Sequence, residues 1–302
     1  MGCLIAVAGL LLSAPYAVTA VTFTGSTSLF LAGTGAPSRW RGSARLPPLS
    51  SSLSDALSPN MDVTAFQQLV QAGPVPEPSR DFLINGWRWH TQAVLRDLRR
   101  FIALVQSLAS ETTSTHSPSA SRSDLLQRCH AFVCGFSWRA LMTIEGEIFF
   151  PWLADLLPAN VAKPLINRLY QQHSEIRSMA SRLETLCRNC SSREELVDIV
   201  DCLEDMVANA RSMQQVQEEI FVPFIAAYVS KKEQERFNSM VLSKLGIIEA
   251  NIHLVSMYDA VRSSQEEMFK FNKQIPMVVQ ALIPLWRRRL YAPRAKWLEP
   301  PQ

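Results

Sequence analysis

Three residues carry the chemistry that this sequence offers: His90, Glu145 and His173. Two imidazoles and one carboxylate make the donor count of a mononuclear non-haem iron site with open positions, and zinc accepts the same donors. The three lie far apart in the chain, so separate elements must bring them together. With helix ends read from capping and turn signals, His90 falls about 19 residues before the end of its helix. Glu145 falls about 21 after the start of the next, a height difference of about 3 Å. Glu145 is also about 11 residues from the end of that helix, and His173 about 11 from the start of the third. The arithmetic puts all three in one layer of a bundle.

Other chemistry finds little support. GxGxxG, GxxxxGK and GxSxG are absent, and no Ser/His/Asp or Cys/His nucleophile set has a persuasive spacing. Enzymatic activity would have to run through a metal. A formal charge of +3 over 302 residues does not point to nucleic acid. Cys187 and Cys190 form a lone CxxC, read as two thiols near a helix end; with Cys129, Cys134 and Cys202 they make an odd set of five beyond the first segment, which argues against a complete disulfide framework. His116 falls in a loop, His130 lies well down its helix from Glu145, and His253 belongs to a C-terminal extension with no assigned role.

The elements that must position the three donors are helices. A composition of 47% hydrophobic and 19% charged residues fits a globular chain. Beyond residue 60 the apolar spacing is helical almost throughout. Helix A is expected from about Arg80 to Ala109, with Leu95, Leu98, Ile102 and Val105 on one face. Helix B should run from about Asp124 to Leu156, helix C from about Ala162 to Cys187, and helix D from the capping box Ser192-Arg-Glu-Glu195 to about Val229. Between A and B, ETTSTHSPSASR reads as a loop. Short B–C and C–D turns favour an all-α, up-down-up-down four-helix bundle. Two more helices are expected, over about Glu233–Ser263 and Gln265–Leu290.

Residues 1–60 read as an address. An apolar run over residues 3–24 is followed by a stretch rich in Ser and Thr, with three Arg and no acidic residue before Asp55. That pattern fits delivery to a membrane-bounded organelle, a plastid or a mitochondrion; a secretory signal peptide or a membrane anchor are the alternatives. A short helix near Met61–Ala72 and a linker fill residues 61–79. The bundle then covers residues 80–230 and the extension residues 231–302.

Two segments 72 residues apart match each other: EGEIFFPWLA from Glu145 and QEEIFVPFIA from Gln217. Each follows a helix that contains a histidine, so the core reads as two related hairpins, A–B and C–D. Together, WHTQAVLRDLRRFIAL, EGEIFFPWLADLL, QQHSEIRSMASRLETL and QEEIFVPFIAAYV resemble, in this order, the hemerythrin-like (HHE cation-binding) domain. The resemblance implies a four-helix bundle in which inward His and carboxylate side chains hold two non-haem irons. It puts His90, Glu145 and His173 on ligand positions. It also implies that two imidazoles of the family pattern are missing: Leu141 stands in the helix B His slot and Met213 in the helix D His slot. Gln217 stands at the helix D carboxylate place, where Glu218 would serve under a looser spacing. Two readings follow. One is a bundle without the full di-iron set, with Leu141 and Met213 packed as core and a structural, regulatory or protein-interaction role. The other is a reduced mononuclear iron or zinc site at His90, Glu145, His173 and Glu218. The C-terminal LIPLWRRRLYAPRAKW adds a membrane-surface candidate in Trp286, Arg287, Arg288 and Arg289, against a plain basic helix terminus.

Overall fold

The computed structural model describes residues 82–110, 119–157 and 159–298. The address segment, the short helix near Met61–Ala72 and His116 lie outside them. Among the described residues there is no strand, and the chain is all-α. Helix α1 is Asn85–Ser110. Helix α2 is one helical run through Ser119–Phe132, Val133–Trp138, Arg139–Ile144, Glu145–Phe149 and Phe150–Leu156, its second and fourth parts wound as π-helix. Helix α3 is Ala159–Asn189, and α4 runs through Arg193–Val216, the π segment Gln217–Phe221 and Val222–Tyr228. Helix α1 packs along α4 and meets α2, α2 packs along α3, and α3 packs along α4.

Helix α1 shows why the bundle forms. Its buried Trp87, Val94, Leu98, Phe101 and Val105 recur at helical spacing and make one apolar stripe. A second set, Trp89, Ala93 and Leu104, is buried as well, because α1 is covered on another side by helix α5, Lys231–Val261. The start of α4 is fixed by the expected capping box. The Ser192 hydroxyl accepts from the Glu195 N–H at 3.2 Å, and the Glu195 carboxylate accepts from the Ser192 N–H at 2.8 Å. Hydrogen bonds from the Ser191 and Ser192 backbone hold the Glu195 carboxyl below the usual range.

The π segments have a visible cause in sequence. Pro151 and Pro223 each follow one residue after a π turn. Proline has no N–H, and its ring crowds the carbonyl four residues back, so a regular helix cannot pass through unchanged. The residue before each proline bonds five back instead: Phe150 N–H to Glu145 O, and Val222 N–H to Gln217 O. The repeated motif is therefore a repeated π turn. A third copy, Arg287-Arg-Arg-Leu-Tyr-Ala-Pro293, does the same, with Ala292 N–H bonded to Arg287 O.

The C-terminal extension differs from expectation in one place. A single helix over about Gln265–Leu290 is broken into α6, Gln265–Gln274, and α7, Met277–Trp286, which continues through the π segment Arg287–Tyr291. Pro276 is the reason, since the residue before a proline is pushed from helical to extended backbone, and Ile275 sits at φ −91°, ψ 125°. Helix α2 also begins at Ser119 rather than near Asp124, so the expected A–B loop is shorter on the side of α2.

Candidate functional site

Helix α2 carries Glu145 inward at the start of its second π segment, where it is 1% exposed. A buried carboxylate must find donors, and this one finds three. The Trp87 indole N–H from α1 donates to Oε1 at 3.0 Å, and the Gln217 amide from α4 donates to the same oxygen at 3.1 Å. His173 Nε2 from α3 lies 2.9 Å from Oε2. All four helices thus meet on one carboxylate. Aromatic rings close around it: Trp87 lies 4.2 Å from Phe149, Phe149 meets Phe221 edge-on at 5.4 Å, and Phe150 lies 4.7 Å from His173. His173 Nδ1 and Gln217 Oε1 are buried with no partner.

Of the three donors expected in one layer, two meet and one does not. His90 makes no bond to Glu145 or His173. Its ring hydrogen-bonds the Ser137 backbone, and its centre lies 4.5 Å from the ring of His253 on α5. Burial pushes its pKa down to about 4. The place on α1 that faces Glu145 belongs to Trp87, one turn earlier. Glu218 turns to the surface seam between α1 and α4, where it accepts from Arg88 at 2.7 Å. Leu141 and Met213, expected from the resemblance in two histidine slots, are buried apolar side chains. Gln217, expected at the carboxylate place, is a donor toward Glu145.

The donor chemistry decides the fit to two irons. A di-iron cage needs several inward imidazoles and carboxylate oxygens free to bind. Here Leu141 and Met213 offer none, the Glu145 oxygens already accept from three groups, and Glu218 faces away. The residues present do not fit that centre. Among the described residues, no group of three or more His, Cys, Asp or Glu side chains is placed to hold a metal ion.

At the other expected positions, Trp286 is buried, and Arg287 pairs with Asp259 beneath the ring of Tyr258. Arg288 and Arg289 are exposed. The five cysteines Cys129, Cys134, Cys187, Cys190 and Cys202 are free and buried, and burial pushes the Cys129 and Cys134 thiols up to about 12. His130 is occupied by the Ala180 carbonyl at 3.0 Å.

Sequence reasoning missed Trp87 and His253. Trp87 reads as an ordinary core aromatic, and nothing in its spacing marks the indole N–H. For His253 a weak signal existed: it precedes the third copy of the π motif, as His90 and His173 precede the first and second, but helix α6 lies between.

In comparison with known proteins, a profile of the hemerythrin HHE cation binding domain matches residues 96–225. Neither a curated protein nor a solved structure matches the chain. The matched segment includes Glu145, His173, Gln217 and Glu218 and starts beyond His90.

Proposed function

We propose, from the premise that residues 96–225 of this chain form a hemerythrin-like HHE domain, that the bundle serves as a structural, regulatory or interaction module rather than as a carrier of the full di-iron centre. The observation that carries this reading is the hydrogen-bonded carboxylate of Glu145, which has three partners. Trp87, Gln217 and His173 hold it from three helices, so hydrogen bonds do the work of tying α1, α3 and α4 to α2 that metal ligation would otherwise do. A surface role is supported by the exposed apolar side chains of Phe269, Met277, Val278 and Leu285, which lie in the same extension as the exposed Arg288 and Arg289. The partner in this reading is a protein; contact with an anionic membrane through the basic segment is the competing version, and co-sedimentation of the full chain with anionic liposomes separates the two.

The test of the central site is metal content. Full-length protein, loaded anaerobically with Fe(II) and then exposed to oxygen, should show no ferric absorption bands that depend on Glu145. Two iron equivalents per chain, lost in Glu145→Gln, would overturn the reading. A reduced mononuclear iron or zinc site, used for sensing iron or oxygen, is the second reading, and the 2.9 Å contact of Glu145 with His173 is what favours it. It requires one equivalent of metal that disappears in His173→Gln. We further propose that residues 1–60 deliver the chain to a plastid or mitochondrion; a fluorescent fusion of that segment that stays in the cytosol would discard this.

A further inference from the structure

The seam between α1, α2 and α5 contains a second polar cluster, separate from Glu145. His90, His253 and Ser137 are 1%, 0% and 1% exposed. His90 Nε2, both ring nitrogens of His253 and the Ser137 hydroxyl have no hydrogen-bond partner. Four orphaned polar atoms in one buried place run against the rule that buried polar groups are paired, and they call for a ligand.

We propose that His90 and His253 form a metal site of their own, taking a divalent transition-metal cation of the zinc class, with the Ser137 hydroxyl as a further oxygen donor. Three features carry this. First, the His90 ring bonds the Ser137 backbone while its Nε2 is buried with no partner and free to ligate. A metal-bound histidine is held in this way, its other N–H given to a carbonyl that fixes tautomer and ring orientation. Secondly, the ring separation fits. A cation about 2.1 Å from each ligating nitrogen lies about 3.2 Å from each ring centre, so two cis imidazoles have centres about 4.5 to 5.2 Å apart between right-angle and tetrahedral geometry. The observed separation is 4.5 Å with the rings tilted by 47°. Linear two-coordination would need rings about 6.4 Å apart by the same arithmetic.

Thirdly, the site has an entry. Phe136 stacks on the outer face of His253 at 4.5 Å and 6°, and it is half-buried because it also lines a surface groove of about 200 Å³ with Arg139, Lys244 and Glu249. Phe136 thus touches both the groove and His253, and in this proposal its rotation is the step that admits the ion. A water or small anion following the ion from the groove completes its coordination and offsets the buried charge. Phe136 and Ser137 both belong to the π segment Val133–Trp138, which has no proline to explain it and re-aims its side chains at the seam. The site shares no residue with the hydrogen-bonded cluster of Glu145, Trp87, Gln217 and His173, and of the reduced mononuclear set it takes His90 alone.

The test uses Co(II) and Zn(II) with the full-length chain. One equivalent of Co(II) should bind with nitrogen-and-oxygen d–d bands and no thiolate charge-transfer band. In His253→Phe the affinity should fall at least tenfold. That variant keeps an aromatic ring against Phe136 and removes two unpaired nitrogens, so it should fold, as circular dichroism will show. His173→Gln should bind as the parent does, which keeps this outcome distinct from a site at Glu145. In addition, Phe136→Ala should speed metal uptake severalfold by opening the groove. Absence of binding to the folded parent, equal binding by His253→Phe, or a thiolate band would each overturn the proposal.

Discussion

Glu145 and Gln217 hold the same place in two copies of one motif, and in the folded chain they touch, Gln217 Nε2 donating to Glu145 Oε1 at 3.1 Å. Each residue opens a π turn that ends just before a proline, and each π turn aims its first side chain into the same central layer. The two hairpins therefore meet through equivalent residues, one now an acid and the other an amide. An acid opposite an acid would leave two like charges in a dry interior unless a cation lay between them. An amide opposite an acid needs no cation, because it donates.

Removing the acceptor should accordingly be severe. In Glu145→Ala the Trp87 indole, the Gln217 amide and His173 Nε2 lose their shared acceptor, and three buried donors are left unpaired. The expected loss is about 3–5 kcal/mol in urea unfolding. Glu145→Gln keeps an acceptor oxygen and should lose about half as much. If alanine and glutamine cost the same, the hydrogen bonds do not hold the centre.

Much of this was legible beforehand. The four bundle helices follow from periodicity, the capping box at Ser192 from its motif, and the shared height of Glu145 and His173 from rise per residue. Rise fixes height along a helix but not the direction around it, and that is where His90 escaped. Each residue turns the chain by about 100°, so the inward place on α1 fell to Trp87, three positions earlier. The π turn at Val133–Trp138 adds to the difficulty, since it changes the phase of α2 before Glu145 is reached. The third copy of the proline motif was overlooked because it opens on Arg287 rather than on an acid or amide. With it went the role of His253.

The seam histidines should set the acid limit of the fold. His90 titrates near pH 6.5 when unfolded and about 4 when folded, because burial disfavours its charged form. Burial, then the neighbouring His90, lowers His253 in the same direction. The unfolded chain thus binds more protons between these values. Stability is full above about pH 6.5 and declines as pH falls to about 4, His90 alone accounting for about 3 kcal/mol. Below that the folded state is protonated too, and this contribution levels off. Urea midpoints measured from pH 8 to 4 should drop steeply for the parent and less steeply for His253→Phe; parallel curves would show that the pair does not titrate as described.

Helix α5 bends at a single residue. Gly246 stands at φ +69°, ψ 168°, inside an otherwise helical run, and nothing lies within 4 Å of where its Cβ would be. The conformation alone therefore resists a side chain. Gly246→Ala should cost about 1–3 kcal/mol without any steric clash, because this pairing of φ and ψ is reached essentially by glycine alone, and Gly246→Asn should cost about as much, since asparagine's tolerance of positive φ is confined to the left-handed helical region. Losses of less than about 0.5 kcal/mol for both would show the kink to be dispensable.

The extension is held to the bundle by Asp97, which is fully buried at the α1–α5 seam. Its carboxylate accepts from Arg96 at 2.6 and 3.0 Å and from the Ser256 hydroxyl at 3.4 Å, while Arg96 reaches on to the Ser256 carbonyl at 2.9 Å and the Tyr291 hydroxyl at 2.7 Å. One acid thus organises contacts from α1, α5 and the third π segment. In Asp97→Ala the Arg96 guanidinium loses its counter-ion in a largely dry place, at a cost of about 3 kcal/mol, the lower end for a broken buried pair because Arg96 keeps some contact with water. The exposed pair Arg188–Glu184 is the control, and its removal should change stability by less than about 0.5 kcal/mol. Because Asp97 ties the extension rather than the core, its loss should also free the turn at Arg262, which trypsin would then cut faster than in the parent. Destabilisation with unchanged cleavage there would mean that the extension and the bundle unfold as one unit.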